Sequence, residues 1–198
     1  PALPPPAPKP APLPPTQPAT PEPSAAILAA RQQNGRLSAA ALKTRIFRYI
    51  DSLQKLEDTH IDNIQKQLGL VIPPYEETKG AYSQYFDDLT DGGRFSVSVM
   101  HPTGEDTTYG VDIFNNESTG KVSAVPCRYT YQAFREMLLT RGFEDGVWVG
   151  PKLRAAFRKR FGDIGLSVAL WTYTHEKPDG GKESCVAQVS ISMGVRVE

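Results

Sequence analysis

The sequence predicts an α+β protein in which N-terminal helices precede a mainly antiparallel sheet of about five strands, with helices packed on one face. Two observations carry this prediction. Helical spacing of apolar residues dominates positions 24–89, and alternation of apolar and polar residues recurs from Arg94 onward. Because strands and helices cluster along the chain and do not alternate strictly, a doubly wound parallel sheet is disfavoured.

The first 23 residues are predicted to be a disordered Pro/Ala-rich tether. They contain 12 of the 18 prolines, and proline fixes φ and lacks an N–H donor, which excludes both helix and sheet. At about 3.1 Å per residue, the extended segment reaches roughly 70 Å. The alternative role for such a segment is a docking peptide for an aromatic groove.

Residues 24–71 are predicted to be a helical segment with one long amphipathic helix. Ser24 is suited to cap a first short helix. A second helix over 38–68 shows one apolar stripe, with Gly69 as its terminator. The stripe consists of Leu42, Ile46, Tyr49, Leu53, Leu56, His60, Ile64 and Leu68. This long face either packs across the sheet, contacts a partner or forms a hairpin with the preceding helix.

Residues 72–198 are predicted to be the α+β domain. The pattern predicts a helix over 75–89, strands over 95–99, 109–113 and 121–125, helices over 131–141 and 151–161, and strands over 166–171 and 185–195. Thr130 is suited to cap the helix over 131–141. Phe157 and Phe161, four residues apart, suggest the helix over 151–161, with Gly162 ending it.

Cys127 and Cys185 are the two cysteines of the chain. Two such residues usually pair in an exported protein and usually remain buried thiols in a cytosolic one. The Pro/Ala-rich start favours export, so we predict a disulfide; two unpaired core thiols or a reactive nucleophile are the alternatives. In the chain-entropy model a bridge over this separation stabilises the fold by about 4 kcal/mol.

The sequence contains no pattern typical of a catalytic or metal site. His60, His101 and His175 lack the spacing of a zinc-binding helix, and two widely separated cysteines do not form a zinc knuckle. Neither a nucleophile elbow nor a phosphate-binding glycine loop is present. We therefore predict no catalytic, cofactor-binding or metal-binding residue, and a protein that is not an enzyme.

Charge is distributed in two opposite segments although the formal net charge is zero. Residues 75–118 contain nine acidic and two basic residues, whereas residues 127–161 contain eight basic and three acidic residues. The two segments either neutralise each other across the fold or form a charged surface that steers a protein partner. Nucleic acid is disfavoured as a partner, because the basic segment is short and the overall charge is not positive.

The predicted partner-binding surface combines this basic segment with Trp148. Trp148 lies between two glycines, Gly146 and Gly150, in a predicted loop between the basic helices. It either fills the core or serves as a binding anchor. The surface consists of Trp148, Lys152, Arg154, Arg158, Lys159 and Arg160.

These features predict an exported, protein-binding domain, with an immunity or inhibitor protein as the favoured class. The alternative is a structural or assembly component of a bacterial envelope or secretion machine, which would use the long helix to engage a neighbour. Because the chain starts at Pro1 and not at Met, we expect the natural N-terminus to lie elsewhere, either because a leader is removed or because the sequence begins inside the gene. The expected location is periplasmic or otherwise exported, and a cytoplasmic location is less favoured. The one membrane contact considered is an N-terminal lipid anchor that lies outside this chain.

Overall fold

The computed structural model describes residues 22–75, 82–100, 109–114, 122–123, 126–148 and 154–195. The predicted tether lies outside these residues apart from its last two positions. The helices of the described part are α1 (Ala25–Asn34), α2 (Ala39–Ser52), the 3-10 helix Leu56–Thr59, α3 (Ile61–Leu68) and α4 (Tyr131–Leu139). The strands are β1 (Tyr82–Asp88), β2 (Arg94–Met100), β3 (Tyr109–Phe114), β4 (Val122–Ser123), β5 (Glu144–Trp148), β6 (Arg154–Phe161), β7 (Ile164–Glu176) and β8 (Lys182–Val195).

The strands of the described part form one sheet. Its order is β1-β2-β3-β8-β7-β6-β5, and each neighbouring pair on this path is antiparallel. The short strand β4 pairs in parallel with β7. The predicted α+β class with a mainly antiparallel sheet is therefore confirmed.

Helices pack on one face of the sheet, here called the helix face. Phe47 of α2 lies with its ring centroid 5.0 Å from that of Phe134 of α4, and Tyr129 lies 5.7 Å from the same Phe134 ring. Alternate residues of the strands complete this core from the side of the sheet. They include Tyr85, Phe95, Val97, Val99, Phe157, Leu166, Val168, Val189 and Ile191. The residues between them point to the opposite side, here called the open face, as expected for a sheet buried on one side.

The predicted single helix over 38–68 is wrong, because the chain turns between two shorter helices. The Asp58 carboxylate accepts hydrogen bonds from the backbone N–H groups of Gln54 (2.9 Å) and Lys55 (3.0 Å). Such a side chain offers the backbone an alternative to the helical hydrogen bonds, and a short 3-10 helix follows. Both helices bury their apolar residues against the same core, whereas His60, which the predicted stripe includes, is exposed at the turn.

Helices α2 and α3 lie side by side. The Arg45 guanidinium of α2 donates to the carbonyl oxygens of Leu68 (2.8 Å) and Gly69 (3.0 Å), and Arg48 donates to the Gln67 carbonyl. These bonds satisfy acceptors that the end of α3 leaves unpaired. None of the helices in the described ranges is long and apolar enough to cross a membrane.

The predicted helix over 75–89 is also wrong where the structure describes it, because strand β1 occupies its second half. Tyr85 is fully buried and lies opposite Val97 of β2, whereas Tyr82 on the other face is exposed. Pairing with β2 overrides the helical spacing of the aromatic residues. Residues 76–81 lie outside the described part of the chain.

The predicted helix over 151–161 is wrong in the same way, because residues 154–161 form β6. Phe157 and Phe161 lie four residues apart, and this spacing places two side chains on one face of a strand as well as of a helix. Gly162 does not end a helix. It has φ of 61° and, with Asp163, makes the two-residue turn that joins β6 to β7.

The other predicted elements are confirmed at similar bounds. The Thr130 hydroxyl caps α4 by accepting from the Ala133 N–H (3.2 Å), and Ser24 caps α1 in the same way through Ile27 (3.3 Å). Strands β2, β3, β7 and β8 lie where the alternation predicts them. Within the predicted strand over 121–125, the described part is β4.

The predicted disulfide joins Cys127 to Cys185, with their Cα atoms 5.6 Å apart. Cys185 is fully buried on β8, next to Tyr173 and Ala187 in a small second cluster. Cys127 lies three residues before the Thr130 cap of α4. The bond therefore fixes the start of α4 to the β7–β8 hairpin.

Candidate protein-binding surface

Strand β6 divides its basic residues between the two faces of the sheet. Ala155 and Phe157 are fully buried on the helix face. Arg158 and Arg160 are exposed on the open face. Because side chains of a strand alternate, the run Arg158-Lys159-Arg160 places its central lysine on the opposite face from the two arginines.

Small residues lie beside both exposed arginines on the two neighbouring strands. Arg160 lies opposite Gly165 of β7, which lies opposite Gly194 of β8. Arg158 lies opposite Ser167, which lies opposite Ser192. On β7 and β8, the residues in line with each arginine are therefore glycines or serines, and no side chain larger than that of serine lies beside it.

These two rows form a trough on the open face. It has a volume of about 730 Å³. Its lining consists of Arg158, Arg160, Gly165, Ser167, Ser192 and Gly194, residues of the adjoining turn, and Glu144, Lys159, Leu166, Met193 and Val195 of the strands. Two carboxylates lie at its rim, from Glu144 opposite Arg158 on β5 and from Asp163 in the turn. We refer to this feature as the arginine trough.

Arg154 shares the open face but is held by a neighbouring side chain. Its guanidinium carbon lies 5.1 Å from the ring centroid of Trp171, a cation–π contact, and Trp171 is its cross-strand partner on β7. Its Nε atom is buried and has no hydrogen-bond partner among the described residues. Arg154 therefore continues the line of Arg158 and Arg160 while packing on an aromatic ring.

The ammonium group of Lys159 is bound on the helix face and not in the arginine trough, although the residue is among those that line the trough. Its Nζ donates to the Arg141 carbonyl at the end of α4 (2.8 Å) and lies over the rings of Phe143 (5.8 Å) and Phe161 (5.3 Å). Arg141 in turn pairs with Asp51 of α2 at 2.8 Å. This lysine stabilises the docking of α4, where a cation at a helix C-terminus is favourable.

Trp148 ends the edge strand β5 and is not in a loop between helices, as the sequence predicts. Its ring lies 5.1 Å from that of Tyr131 on α4, and it remains 49% exposed. It lies opposite Ala155, which places it on the helix face, away from Arg158 and Arg160. Burial raises the pKa of Tyr131, with a smaller contribution from the nearby Asp145 carboxylate. The sixth predicted residue, Lys152, lies outside the described part of the chain.

The two charged segments lie on different parts of the sheet. The acidic segment supplies β1–β3 and the basic segment supplies β6, with β8 and β7 between β3 and β6. Three strand spacings amount to about 14 Å, which exceeds the screening length of about 8 Å at physiological salt. Among the described residues, the ion pair that joins the two segments is Arg128 with Asp91, at 3.7 Å.

Arg158 and Arg160 make no ion pair with any described carboxylate. Other arginines of the described chain do pair, for example Arg135 with Asp145 at 2.5 Å. That hydrogen bond lowers the pKa of Asp145. Guanidinium groups keep their charge at all physiological pH values and bind carboxylates through two parallel hydrogen bonds. The arginine trough is therefore suited to bind an anionic group.

Within the described ranges, one group of side chains has the proximity that a metal ion requires: Cys127, Glu183 and Cys185. Both of its sulfur atoms belong to the disulfide. A disulfide sulfur is not a thiolate, and the thiolate is the ligand form of cysteine. This group therefore offers a metal one carboxylate.

The residues of the trough floor are absent from the predicted binding surface. Ser167 and Ser192 occur in strands that the alternation does predict, on their polar side, whereas Gly165 precedes the predicted strand over 166–171. Alternation of Ala155, Phe157 and Phe161 with Arg158 and Arg160 is a signal for a strand. It does not indicate that this strand lies beside β7 and β8.

No protein-family model, curated protein or solved structure matches this chain. The residues of the surface itself are therefore the basis for a function, and the arginine trough is the feature that supports one.

Proposed function

We propose that this chain is an exported protein-binding domain that acts as an immunity or inhibitor protein and neutralises a partner toxin or hydrolase. In this proposal the Pro/Ala-rich segment is a tether to an anchor in the cell envelope. The domain presents the open face of its sheet to the partner. The arginine trough is the centre of the contact.

The disulfide supports the exported location. Disulfides persist in oxidising compartments such as the periplasm and are rare in the cytosol, where thiols are kept reduced. The bond between Cys127 and Cys185 joins the start of α4 to the sheet. It therefore belongs to the stable framework of the domain.

The observation that carries the proposal is the pair of exposed arginines that no described carboxylate neutralises, Arg158 and Arg160. Arginine is enriched among residues that dominate binding energy at protein interfaces. Complementary charge also accelerates association and selects against wrong partners. An inhibitor must find one target rapidly, so this arrangement suits the proposed role.

The alternative, an assembly component of an envelope machine, depends on one long helix that engages a neighbour. That helix is two shorter helices, α2 and α3, whose apolar residues face the shared core. The observation that favoured this alternative is therefore lost. We retain the inhibitor as the proposed function.

The proposal is tested by capture of the partner from an envelope extract with the purified chain as bait. Three baits are compared: the unchanged chain, the double variant Arg158→Glu/Arg160→Glu, and the matched control Arg36→Glu/Lys66→Glu. The control reverses two exposed charges that lie on the helical part of the molecule. The captured protein is identified by mass spectrometry, and its enzymatic or toxic activity is then measured with and without the chain.

We expect the unchanged chain and the control to capture one protein and to suppress its activity. The double variant should bind that protein about tenfold more weakly, because it places two like charges against an acidic surface. Equal capture by the double variant would exclude the arginine trough as the interface. A captured protein whose activity is unaffected would exclude the inhibitor function.

A further inference from the structure

We propose that the arginine trough binds an extended acidic segment of the partner protein, whose carboxylates occur at alternate residues. The inference rests on the proposed function and specifies the chemistry of the partner at this site. It follows from the spacing of the arginines, the height of the trough floor and the charges at the rim.

The spacing of the two arginines matches an extended peptide. Arg158 and Arg160 are two residues apart on a strand, so their Cα atoms are separated by roughly 6.8 Å. Side chains at alternate positions of a second extended chain have the same separation and the same direction. A segment lying along β6 therefore presents one carboxylate to each guanidinium.

The floor of the trough admits a backbone at close range. Gly165 and Gly194 form one row beside Arg160, and Ser167 and Ser192 form the other beside Arg158. Glycine permits close approach of a second main chain, and serine hydroxyls both donate and accept hydrogen bonds. The floor is thus suited to backbone amide groups, while the arginines bind the side chains.

Addition of a side chain at the floor is compatible with the fold. A Cβ atom built at Gly165 meets its nearest atom, the Gly194 carbonyl oxygen, at 3.9 Å, which is an ordinary contact. The backbone at position 165 therefore does not require glycine, and the lack of a side chain there leaves the trough open. A larger residue here fills the trough and leaves its charges unchanged.

The carboxylates at the rim oppose an acidic segment. Glu144 lies opposite Arg158, and Asp163 lies in the turn beside Arg160. Both repel a partner carboxylate. They therefore disfavour a polyanion with evenly spread charge more than a segment whose carboxylates lie directly at the two arginines. Removal of the Glu144 charge is therefore expected to tighten binding, the opposite of the effect of removing an arginine.

The residues that line the trough favour a protein segment over a nucleic acid. None of them is aromatic, whereas single-stranded nucleic acids bind through stacking of bases on aromatic rings in addition to phosphate contacts. Charge-assisted hydrogen bonds between guanidinium and carboxylate are well matched in shape. A polyanion is retained as an outcome of the test.

In the test, the full chain is titrated with two synthetic peptides and with heparin, a polyanion, and binding is followed by NMR. One peptide has the sequence Thr-Glu-Thr-Glu-Thr, and the other is its isomer Thr-Glu-Glu-Thr-Thr, both acetylated and amidated. The isomer has the same charge and composition, but its carboxylates point to opposite sides when the peptide is extended. Four variants are titrated in parallel: Arg158→Gln/Arg160→Gln, Glu144→Gln, Gly165→Val and the control Ser96→Val, which changes the open face on β2. Folding of each variant is checked by near-UV circular dichroism.

We expect the alternating peptide to bind about fivefold more tightly than its isomer, the equivalent of the net contribution of one typical hydrogen bond. Both Arg158→Gln/Arg160→Gln and Gly165→Val should abolish this preference. Glu144→Gln should tighten binding of the alternating peptide. The control Ser96→Val should leave both affinities unchanged. Equal affinity for both peptides would overturn the proposal. Retained preference in folded Gly165→Val would overturn it as well, as would tighter binding of heparin than of the alternating peptide.

The peptide titration and the envelope capture fail independently. Capture that depends on Arg158 and Arg160, without any peptide preference, would leave the proposed function in place and reject the extended acidic segment. A clear peptide preference, with a captured protein that the chain does not inhibit, would retain the segment and reject the inhibitor function.

Discussion

The two faces of the sheet use the same residue types for different purposes, and strand β6 shows both uses within three residues. Lys159 on the helix face has a carbonyl partner and two aromatic rings around its ammonium group. Arg158 and Arg160 on the open face are exposed and have no described carboxylate as partner. Basic character in a sequence therefore indicates a binding surface only after each side chain has been assigned to a face.

The comparison also separates stability from binding. The helix face contains the aromatic core and the ion pair between Arg141 and Asp51, which holds α4 against α2. The arginine trough has small residues on its floor, and Arg158 and Arg160 are exposed without a described ion pair, so changes there should alter binding and leave the free energy of unfolding almost unchanged. The predictions below test this difference, beginning with the largest expected effect.

Truncation of Phe157 on the helix face should cause the largest loss of stability. Phe157 is fully buried, 6.4 Å from the ring of Tyr131, and lies so close to Gly146 that a Cβ there would approach it to 2.7 Å. We expect Phe157→Ala to lower the free energy of unfolding by about 3–5 kcal/mol, measured by urea denaturation. The neighbouring variant Arg158→Ala should change it by less than about 0.5 kcal/mol. Comparable losses in both would contradict the assignment of β6 residues to faces.

Removal of the disulfide should weaken the attachment of α4 to the sheet. We expect Cys127→Ser/Cys185→Ser to lower the free energy of unfolding by about 2–4 kcal/mol. The same urea experiment under reducing conditions should reproduce this loss in the unchanged chain and have no effect on the double variant. A double variant as stable as the unchanged chain would show that packing alone holds α4 in place.

Alkaline pH should destabilise the helix face through its buried tyrosines. Burial raises the pKa of Tyr85 to about 12 and raises the pKa values of Tyr49 and Tyr129 well above the ordinary value. Each native pKa lies above the unfolded value of about 10, so stability is complete below pH 10 and declines as pH rises above it. For Tyr129 the decline amounts to about 1 kcal/mol per pH unit.

Urea denaturation at several pH values between 8 and 11 measures this decline. Tyr129→Phe is the control, because it removes one titrating hydroxyl together with its hydrogen bond to the Ala39 carbonyl (2.8 Å). We expect this variant to be less stable at pH 8, by about 1 kcal/mol, and to lose less stability on going to pH 11. An unchanged pH slope would exclude Tyr129 as a source of the effect.

Replacement of Lys159 should produce the smallest of these losses. Lys159→Met keeps most of the apolar stem and removes the ammonium group that donates to Arg141. We expect the free energy of unfolding to fall by about 1 kcal/mol. Arg160→Met, one residue further on the open face, should leave it within about 0.5 kcal/mol of the unchanged chain.

The sequence predicts the α+β class, the capped helices α1 and α4, the last strand and the disulfide, because each depends on a local signal or on the small number of cysteines. Strand β8 is the clearest case, with Val189, Ile191 and Met193 buried in alternation with serines. Such a pattern has one interpretation, because strict alternation does not fit a helix.

The errors occur where a spacing has two interpretations or where a distant partner decides. Phe157 and Phe161 share a face in either a helix or a strand, and pairing with β7 selects the strand. The turn after α2 depends on the Asp58 side chain, which the apolar stripe does not report. The arginine trough needs three strands in register, and no local pattern contains that information.

The central claim is that residues of the open face determine binding and residues of the helix face determine stability. The most direct test measures the affinity of the captured partner for two methionine variants. Both remove basic groups from the same three-residue run. Arg158→Met/Arg160→Met should lower the affinity about tenfold or more with unchanged stability, and Lys159→Met should retain the affinity with reduced stability. Loss of affinity in Lys159→Met, or full affinity in Arg158→Met/Arg160→Met, would contradict it.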